Sequence, residues 1–321
     1  MSSPLAAKPS DGATTHAFST ARLAAARALV AGLVLVATWA LVRRDTATWG
    51  AIRASAASAA RAPGSRVAVL AMMKNEGGVL PEWLRHYSQQ GVDAIILLDN
   101  GSTDPFDATP PPGGMTVEVL PAPARHAQAP QYTKIGLPRL VALGIDIVLV
   151  VDLDEFAFSK SPNATLADEL RATFADAGVS QTCMPWTHFG SSGHVKQPPS
   201  VRRGFTWRAA TLLVSESKAK KNQVKCAARV ATVEALAKHR HTRRAGREVP
   251  PPPSLQLNHY GIQSFEWFMA VKATRGAADD ARLEHFRDES YFRAYDAGCH
   301  AVEDTALAQI AVRLDAAGGG G

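Results

Sequence analysis

Two carboxylates, Asp152 and Asp154, stand two residues apart just beyond an apolar run, Ile145-Asp146-Ile147-Val148-Leu149-Val150-Val151. Such a run reads as a buried strand of a parallel sheet. In open α/β sheets, ligands bind beyond the carboxyl ends of the strands. Carboxylate oxygens suit a hard divalent cation, which one or two acids commonly share with substrate phosphates. For an isolated Asp-x-Asp the commoner alternative is an acidic strand end that caps the next helix. Two further clusters reverse that balance. Asn75-Glu76 follows the apolar run Arg66–Met73, and Asp99 follows Ala94-Ile95-Ile96-Leu97-Leu98.

The elements that must position these groups alternate in type. After the first strand comes a turn, Lys74-Asn75-Glu76-Gly77-Gly78, and then a helix with Pro81 near its start, where a missing N–H costs nothing. Leu80, Trp83, Leu84 and Tyr87 fall at helical spacing, and Gly91 ends the helix. Thr116–Leu120 reads as a third strand after the Pro-rich loop 109–113, and Gln131–Leu143 as a helix before the strand that leads to Asp152. This order predicts an α/β, doubly wound sheet. Three polar clusters at three strand ends would then converge on one sheet edge, giving one site with several carboxylates.

The 321 residues are 46% hydrophobic, ample for one large domain with a full core. The formal charge of +6 is unevenly spread. Residues 1–65 hold seven basic and two acidic residues, and residues 202–250 hold thirteen basic and three acidic. A nearly neutral domain with one basic segment argues against general nucleic-acid binding and suits a local anionic ligand such as a diphosphate. A solvated basic loop is the alternative for 238–250. Cys183, Cys226 and Cys299 form no CxxC or zinc spacing; one disulfide is possible, with a thiol left over.

Leu23–Val42 is apolar except for Arg27, with Arg43 and Arg44 closing it. Its uncharged part spans roughly 22 Å as a helix at about 1.5 Å per residue, short of the roughly 30 Å hydrocarbon core. Arg27 near one end could snorkel and let the span extend. A single-pass membrane anchor is the expectation; a cleaved signal peptide is the competing one. The expected organisation is a disordered tail over 1–22, the anchor over 23–42, a stem over 43–65, a catalytic domain over 66–310 and a flexible tail over 311–321.

The chain resembles GT-A type glycosyltransferases, close to the family 2 and family 92 branches. The residues that carry the resemblance are Lys74-Asn75-Glu76, Leu80-Pro81-Glu82-Trp83-Leu84, Gly91-Val92-Asp93, Asp99-Asn100-Gly101-Ser102-Thr103-Asp104 and Asp152-Leu153-Asp154-Glu155-Phe156. Trp186, Phe189–His194, Lys225, Asn258-His259-Tyr260, Ser264, Phe268, Lys272 and Arg275-Gly276 follow in order. The resemblance covers about residues 66–276 and implies a GT-A, Rossmann-like sheet flanked by helices. It also implies transfer of a hexose from a nucleotide sugar, UDP-linked by expectation, to a glycan acceptor. With the anchor and stem it implies a Golgi-type, type II membrane protein.

The resemblance further implies roles. Asn75, Glu76 and Asp99 would contact the base or ribose. Asp152 and Asp154 would hold Mn²⁺ or Mg²⁺, with Asp154 the direct ligand and Asp152 a ribose or water contact. His259 would complete the metal shell, with a satisfied, partly buried histidine as the alternative. Lys225, with Arg229 and Lys218, would neutralise the diphosphate. Trp186, His188, Ser192 and His194 would form the acceptor pocket, since aromatic rings cover apolar sugar faces and small residues admit backbone contacts; a core Trp followed by an ordinary glycine turn is the alternative. Lys272 and Arg275 could bind phosphate or face solvent. No catalytic base is identifiable; Glu266, Asp296, Glu303 and Asp304 are the candidates, with a surface acid the commoner reading of each. The competing classes are a nucleotidyltransferase, disfavoured by Glu76 in the first loop, and a membrane-anchored carbohydrate-binding protein without turnover.

Overall fold

The computed structural model describes residues 64–211, 213, 223–274 and 287–318, all within one unit, Ala60–Gly321. The expected tail and anchor, nearly all of the stem, Lys218 and Arg275 lie outside the described residues. Among the described residues, no helix is long and apolar enough to cross a membrane.

The fold is mixed α/β around a large, mostly parallel sheet. Its nine strands are β1 (Val67–Met73), β2 (Ala94–Asp99), β3 (Thr116–Pro121), β4 (Ile147–Val150), β5 (Glu155–Ser159), β6 (Val179–His188), β7 (Val224–Arg229), β8 (Arg247–Val249) and β9 (Leu255–His259). Their order is β3-β2-β1-β4-β7-β6-β9-β5, with β8 beside β6. The first four are mutually parallel, and β7 and β5 run against their neighbours. β1 is buried at every position, as an uninterrupted apolar run in the middle of a parallel sheet requires. β3 is half-exposed, as an edge strand should be.

Helices cover the sheet: α1 (Leu80–Gln89), α2 (Leu137–Ala142), α3 (Leu166–Thr173), α4 (Glu289–Ala297) and α5 (Ala306–Gly318). The predicted α1 face is the buried one, comprising Leu80, Trp83, Leu84 and Tyr87. Gly91, at φ +73°, turns the chain out of the helix in a left-handed conformation open to glycine. Thr165 and Asp168 cap α3 reciprocally. α5 runs past residue 310, where sequence alone placed the end of the domain. Leu307 and Ala311 are buried, and the buried Arg202 pairs with Asp315 at 3.0 Å and donates to Gln89 at 2.8 Å. Cys183 and Cys226, directly opposed on β6 and β7, form a disulfide; Cys299 is a buried free thiol.

Candidate metal centre at the sheet edge

The site is built from the loop that leaves β4, the start of β5 and the end of β9. Hydrogen bonds from Val151 N to Leu70 O (3.2 Å) and from Tyr260 N to Asp154 O (2.8 Å) tie that loop to β1 and to the end of β9. Antiparallel pairing sets His259 opposite Glu155, and parallel pairing sets His188 beside His259. Two aromatic residues one helical turn apart on α1 fix the start of β5. Trp83 Nε1 and Tyr87 Oη both donate to Glu155 O, at 3.1 and 3.0 Å. This is the chemical use of the Trp83/Tyr87 spacing: a buried carbonyl receives two donors.

Asp154, Glu155 and His259 each present one ligand atom within 4.8 Å of the others. Asp154 is 3% exposed and Glu155 0%. Asp154 Oδ2 lies 3.7 Å from His259 Nε2 and forms an ion pair with Lys272. Asp154 Oδ1, Glu155 Oε1 and His259 Nδ1 are buried with no hydrogen-bond partner. Buried polar atoms left without partners in such a cluster call for a ligand. Two carboxylates and an imidazole form an oxygen-rich, mixed donor set that can hold a divalent cation. The three residues therefore fit a metal ion.

Asp152 does a different job. Its Oδ2 accepts from Lys225 Nζ at 2.7 Å and its Oδ1 from Gln128 Nε2 at 3.2 Å. Lys225, fully buried, also lies 3.3 Å from Glu155 Oε2, which accepts from Asp152 N at 2.8 Å. The charges shift one another. Burial works to raise both aspartates, but Lys225 holds Asp152 below the usual carboxylate range, and Lys272 with His259 holds Asp154 well below it. Burial pushes Glu155 well above that range. Burial alone would lower Lys225; Asp152 and Glu155 outweigh it, so its ammonium is held more firmly than usual.

Beside the cluster stands an aromatic and imidazole layer. Trp186 stacks on His259, with centroids 4.3 Å apart and planes at 19°. The edges of His188 and His239 meet Trp186 at 5.7 and 5.5 Å. His188 Nδ1 bonds Tyr295 Oη at 2.8 Å and its Nε2 bonds Gln223 Oε1 at 2.9 Å; burial lowers its pKa to about 4. His188 is thus a neutral, fully engaged ring that supports His259. His239 lies near Trp186 and bonds Val224 O at 3.0 Å, whereas His241 is held by Ala237 N and Cys226 O as a satisfied core histidine.

The predicted nucleotide contacts gather at the neighbouring strand ends. Met73 and Asp99 are paired across β1 and β2. Asn75, at φ +53°, accepts from Thr103 N at 2.7 Å, and Asp99 accepts from Ser102 N at 2.9 Å. Gly77 donates to Asp104 at 2.7 Å, and a Cβ there would lie 2.3 Å from Pro105 O, so the two loops meet through a glycine. Glu76 is buried beside them. Ser192 and His194 of the predicted acceptor set sit in a loop they brace themselves. Ser192 Oγ accepts from Thr206 N and Trp207 N, and His194 Nε2 bonds Gly204 O.

Among the acids in range as a base, Asp296 accepts from Ser191 N and Oγ, and Asp304 pairs with Arg208. Sequence reasoning did not assign Gln128, nor Glu155 as part of the cluster. It left Lys272 open between phosphate and solvent. A signal existed for the lysines. Lys225 is the only charged residue among Val224, Cys226, Ala227 and Ala228, and Lys272 falls four residues after Phe268 on the apolar face. A lone cation in an apolar setting implies a buried acid.

A separate cavity of about 260 Å³ lies at the Ser159 end of β5, away from Glu155 at the strand's start. It is lined by Gln89, Gln90, Ser159, Asn163, Thr165 and Arg313, and by none of the predicted site residues. The chain matches no protein-family model and no curated protein sequence.

Proposed function

We propose that the domain is a metal-dependent glycosyltransferase of GT-A type, moving a hexose from a nucleotide sugar, probed first as a UDP-sugar, to a glycan acceptor. The observation that carries this reading is the buried cluster of Asp154, Glu155 and His259 at the carboxyl edge of the sheet, with donor-free oxygens. It adjoins the strand ends that bear Asn75, Glu76 and Asp99. Ligands of open α/β sheets bind at this edge. Asp154 and His259, with Glu155, would hold Mn²⁺ or Mg²⁺. When bound, such an ion acts as a Lewis acid that offsets charge developing on the leaving diphosphate.

The remaining residues take roles from their contacts. Lys225 keeps Asp152 ionised and Gln128 donates to the same carboxylate, which would also accept from a ribose hydroxyl. Trp186 and His188 hold the His259 ring in place through stacking and edge contacts. Asn75 and Asp99 shape the loop that would face the base. The Cys183–Cys226 disulfide supports placement in an oxidising compartment, in keeping with the proposed single-pass anchor at 23–42 and a lumenal, Golgi-type setting.

The test is sugar-nucleotide turnover by the full-length protein with Mn²⁺, measured as release of nucleoside diphosphate across a panel of nucleotide sugars. Asp154→Ala is expected to abolish turnover while circular dichroism stays unchanged. Turnover that survives both chelation and this substitution overturns the metal role.

A further inference from the structure

Lys272 is not a surface lysine. It ends the π-helical turn Phe268–Lys272, is 4% exposed, and points its ammonium onto Asp154 Oδ2, the carboxylate oxygen that also faces His259 Nε2. Its stem passes Trp267, with Nζ 5.7 Å from the ring centroid. π-turns recur at functional positions in helices. Lys225, by contrast, is pinned by two acids, Asp152 and Glu155, on the far side of the cluster. Among the described residues the site thus sets three carboxyl groups against two ammonium groups, one of which rests on the Asp154 oxygen that faces His259 and leaves Oδ1 open.

This arrangement is ill suited to a bare divalent cation. Like charges within a few ångströms repel, so the Lys272 ammonium on Oδ2 weakens the hold of Asp154 on a cation that reaches its open oxygen, Oδ1. It is well suited to a cation that arrives with an anion. Lysine carries a compact charge on a flexible stem, so an ammonium displaced from Asp154 can move to a nearby phosphate oxygen without rebuilding the backbone.

We propose that Lys272 is a latch on the metal site: it holds Asp154 Oδ2 until a divalent cation and a nucleoside diphosphate bind together, and then transfers to the phosphate oxygens. The inference rests on the glycosyltransferase reading and adds to it a residue that makes metal binding conditional on donor. Metal and nucleotide are then positively coupled, each tightening the other by the same factor.

The experiment titrates MnCl₂ into the full-length protein with and without UDP, following free Mn²⁺ by electron paramagnetic resonance. UDP binding is followed by calorimetry. In the wild type, UDP is expected to tighten Mn²⁺ at least about tenfold, a coupling in the usual range. In Lys272→Gln, which keeps a donor near Asp154 without the charge, Mn²⁺ alone should bind at least about tenfold tighter, since a unit charge a few ångströms away is removed. UDP should bind the Mn²⁺-loaded variant more weakly, because the phosphate contact is lost. Lys272→Met serves as a second neutral variant, and both are checked for folding by thermal denaturation. Unchanged or weaker Mn²⁺ binding in the folded neutral variants overturns the latch and leaves the functional reading intact, provided the wild type still binds Mn²⁺ with UDP. Failure of the wild type to bind Mn²⁺ under either condition removes the functional reading, and the latch with it.

Discussion

Lys225→Met probes the electrostatic frame beneath the site. The ammonium is fully buried, 2.7 Å from Asp152 Oδ2 and 3.3 Å from Glu155 Oε2. At an effective dielectric of about 20, each contact is attractive by about 5 to 6 kcal/mol before the desolvation of the charges is subtracted. Asp152 is 34% exposed in its side chain, so water screens its share; Glu155 is not exposed at all. Removing one partner of a buried pair costs about 3 to 5 kcal/mol, because the other charge stays buried and unpaired.

Glu155 can relieve that cost by taking up a proton, and burial already raises its pKa. For a carboxyl whose folded pKa is raised, stability is fully present below the unfolded value near 4.5 and is lost as pH rises through the folded value. The variant's deficit should therefore grow with pH, by at most about 1.4 kcal/mol per unit for one proton. Urea denaturation of wild type, Lys225→Met and Lys225→Met/Glu155→Gln at pH 5.5 and 8 reads this directly. The single variant should be destabilised by about 3 to 5 kcal/mol at pH 8 and by less at pH 5.5, and the double variant should recover part of the loss and lose the pH dependence. A deficit below about 1 kcal/mol that does not change with pH would refute the reasoning, since it lies within the range of exposed pairs.

Two further outcomes follow from other parts of the fold. Burial lowers His86 to about 3 and His241 to about 4, from 6.5. Each group's stability contribution is present above pH 6.5 and is lost as pH falls toward the folded value, costing about 2 kcal/mol per histidine at pH 5; chemical denaturation at pH 7 and 5 should show the loss, with a smaller slope in His241→Gln, and an equal slope would contradict the assignment. Of two Asn-x-Ser/Thr sequences, Asn163 is exposed, whereas Asn100 is buried with its amide donating to Ala122 O and Ala124 O at 2.6 and 3.0 Å. Passage through a eukaryotic secretory pathway should therefore place a glycan on Asn163 alone by peptide mass spectrometry, and an occupied Asn100 would contradict the fold around β2.

Much of the scaffold was legible because it is written in local patterns. The apolar runs of β1, β2 and β4 announce buried parallel strands, and their polar successors Asn75, Asp99 and Asp152 mark one edge. The α1 face follows from its spacing. The meeting of His259 with Asp154 was expected from the resemblance alone; the strand Leu255–His259 brings His259 Nε2 to 3.7 Å from Asp154 Oδ2. What stayed hidden depends on register between distant strands. The Cys183–Cys226 bond needs β6 and β7 to pair so that these residues oppose each other. Lys225 meets Asp152 only because β7 inserts between β4 and β6, a crossover that no local periodicity encodes. Glu155 stayed outside the expected cluster because the groups that hold its carbonyl, Trp83 and Tyr87, lie on α1, far away in sequence. Ser192 and His194 bond the backbone of 204–207, contacts between separate loops that their sequence neighbours do not encode.

The central claim is that a metal-assisted nucleotide-sugar site is centred on Asp154. The most direct measurement is the thermal shift of the full-length protein with UDP and UDP-hexoses, with and without Mn²⁺, in wild type and Asp154→Asn. A ligand at about 100 times its Kd stabilises the folded state by about 2.7 kcal/mol, a readable shift. The account predicts stabilisation by nucleotide only when Mn²⁺ is present, and none in Asp154→Asn. Equal stabilisation with chelator, or in Asp154→Asn, or none by any nucleotide with Mn²⁺, would contradict it.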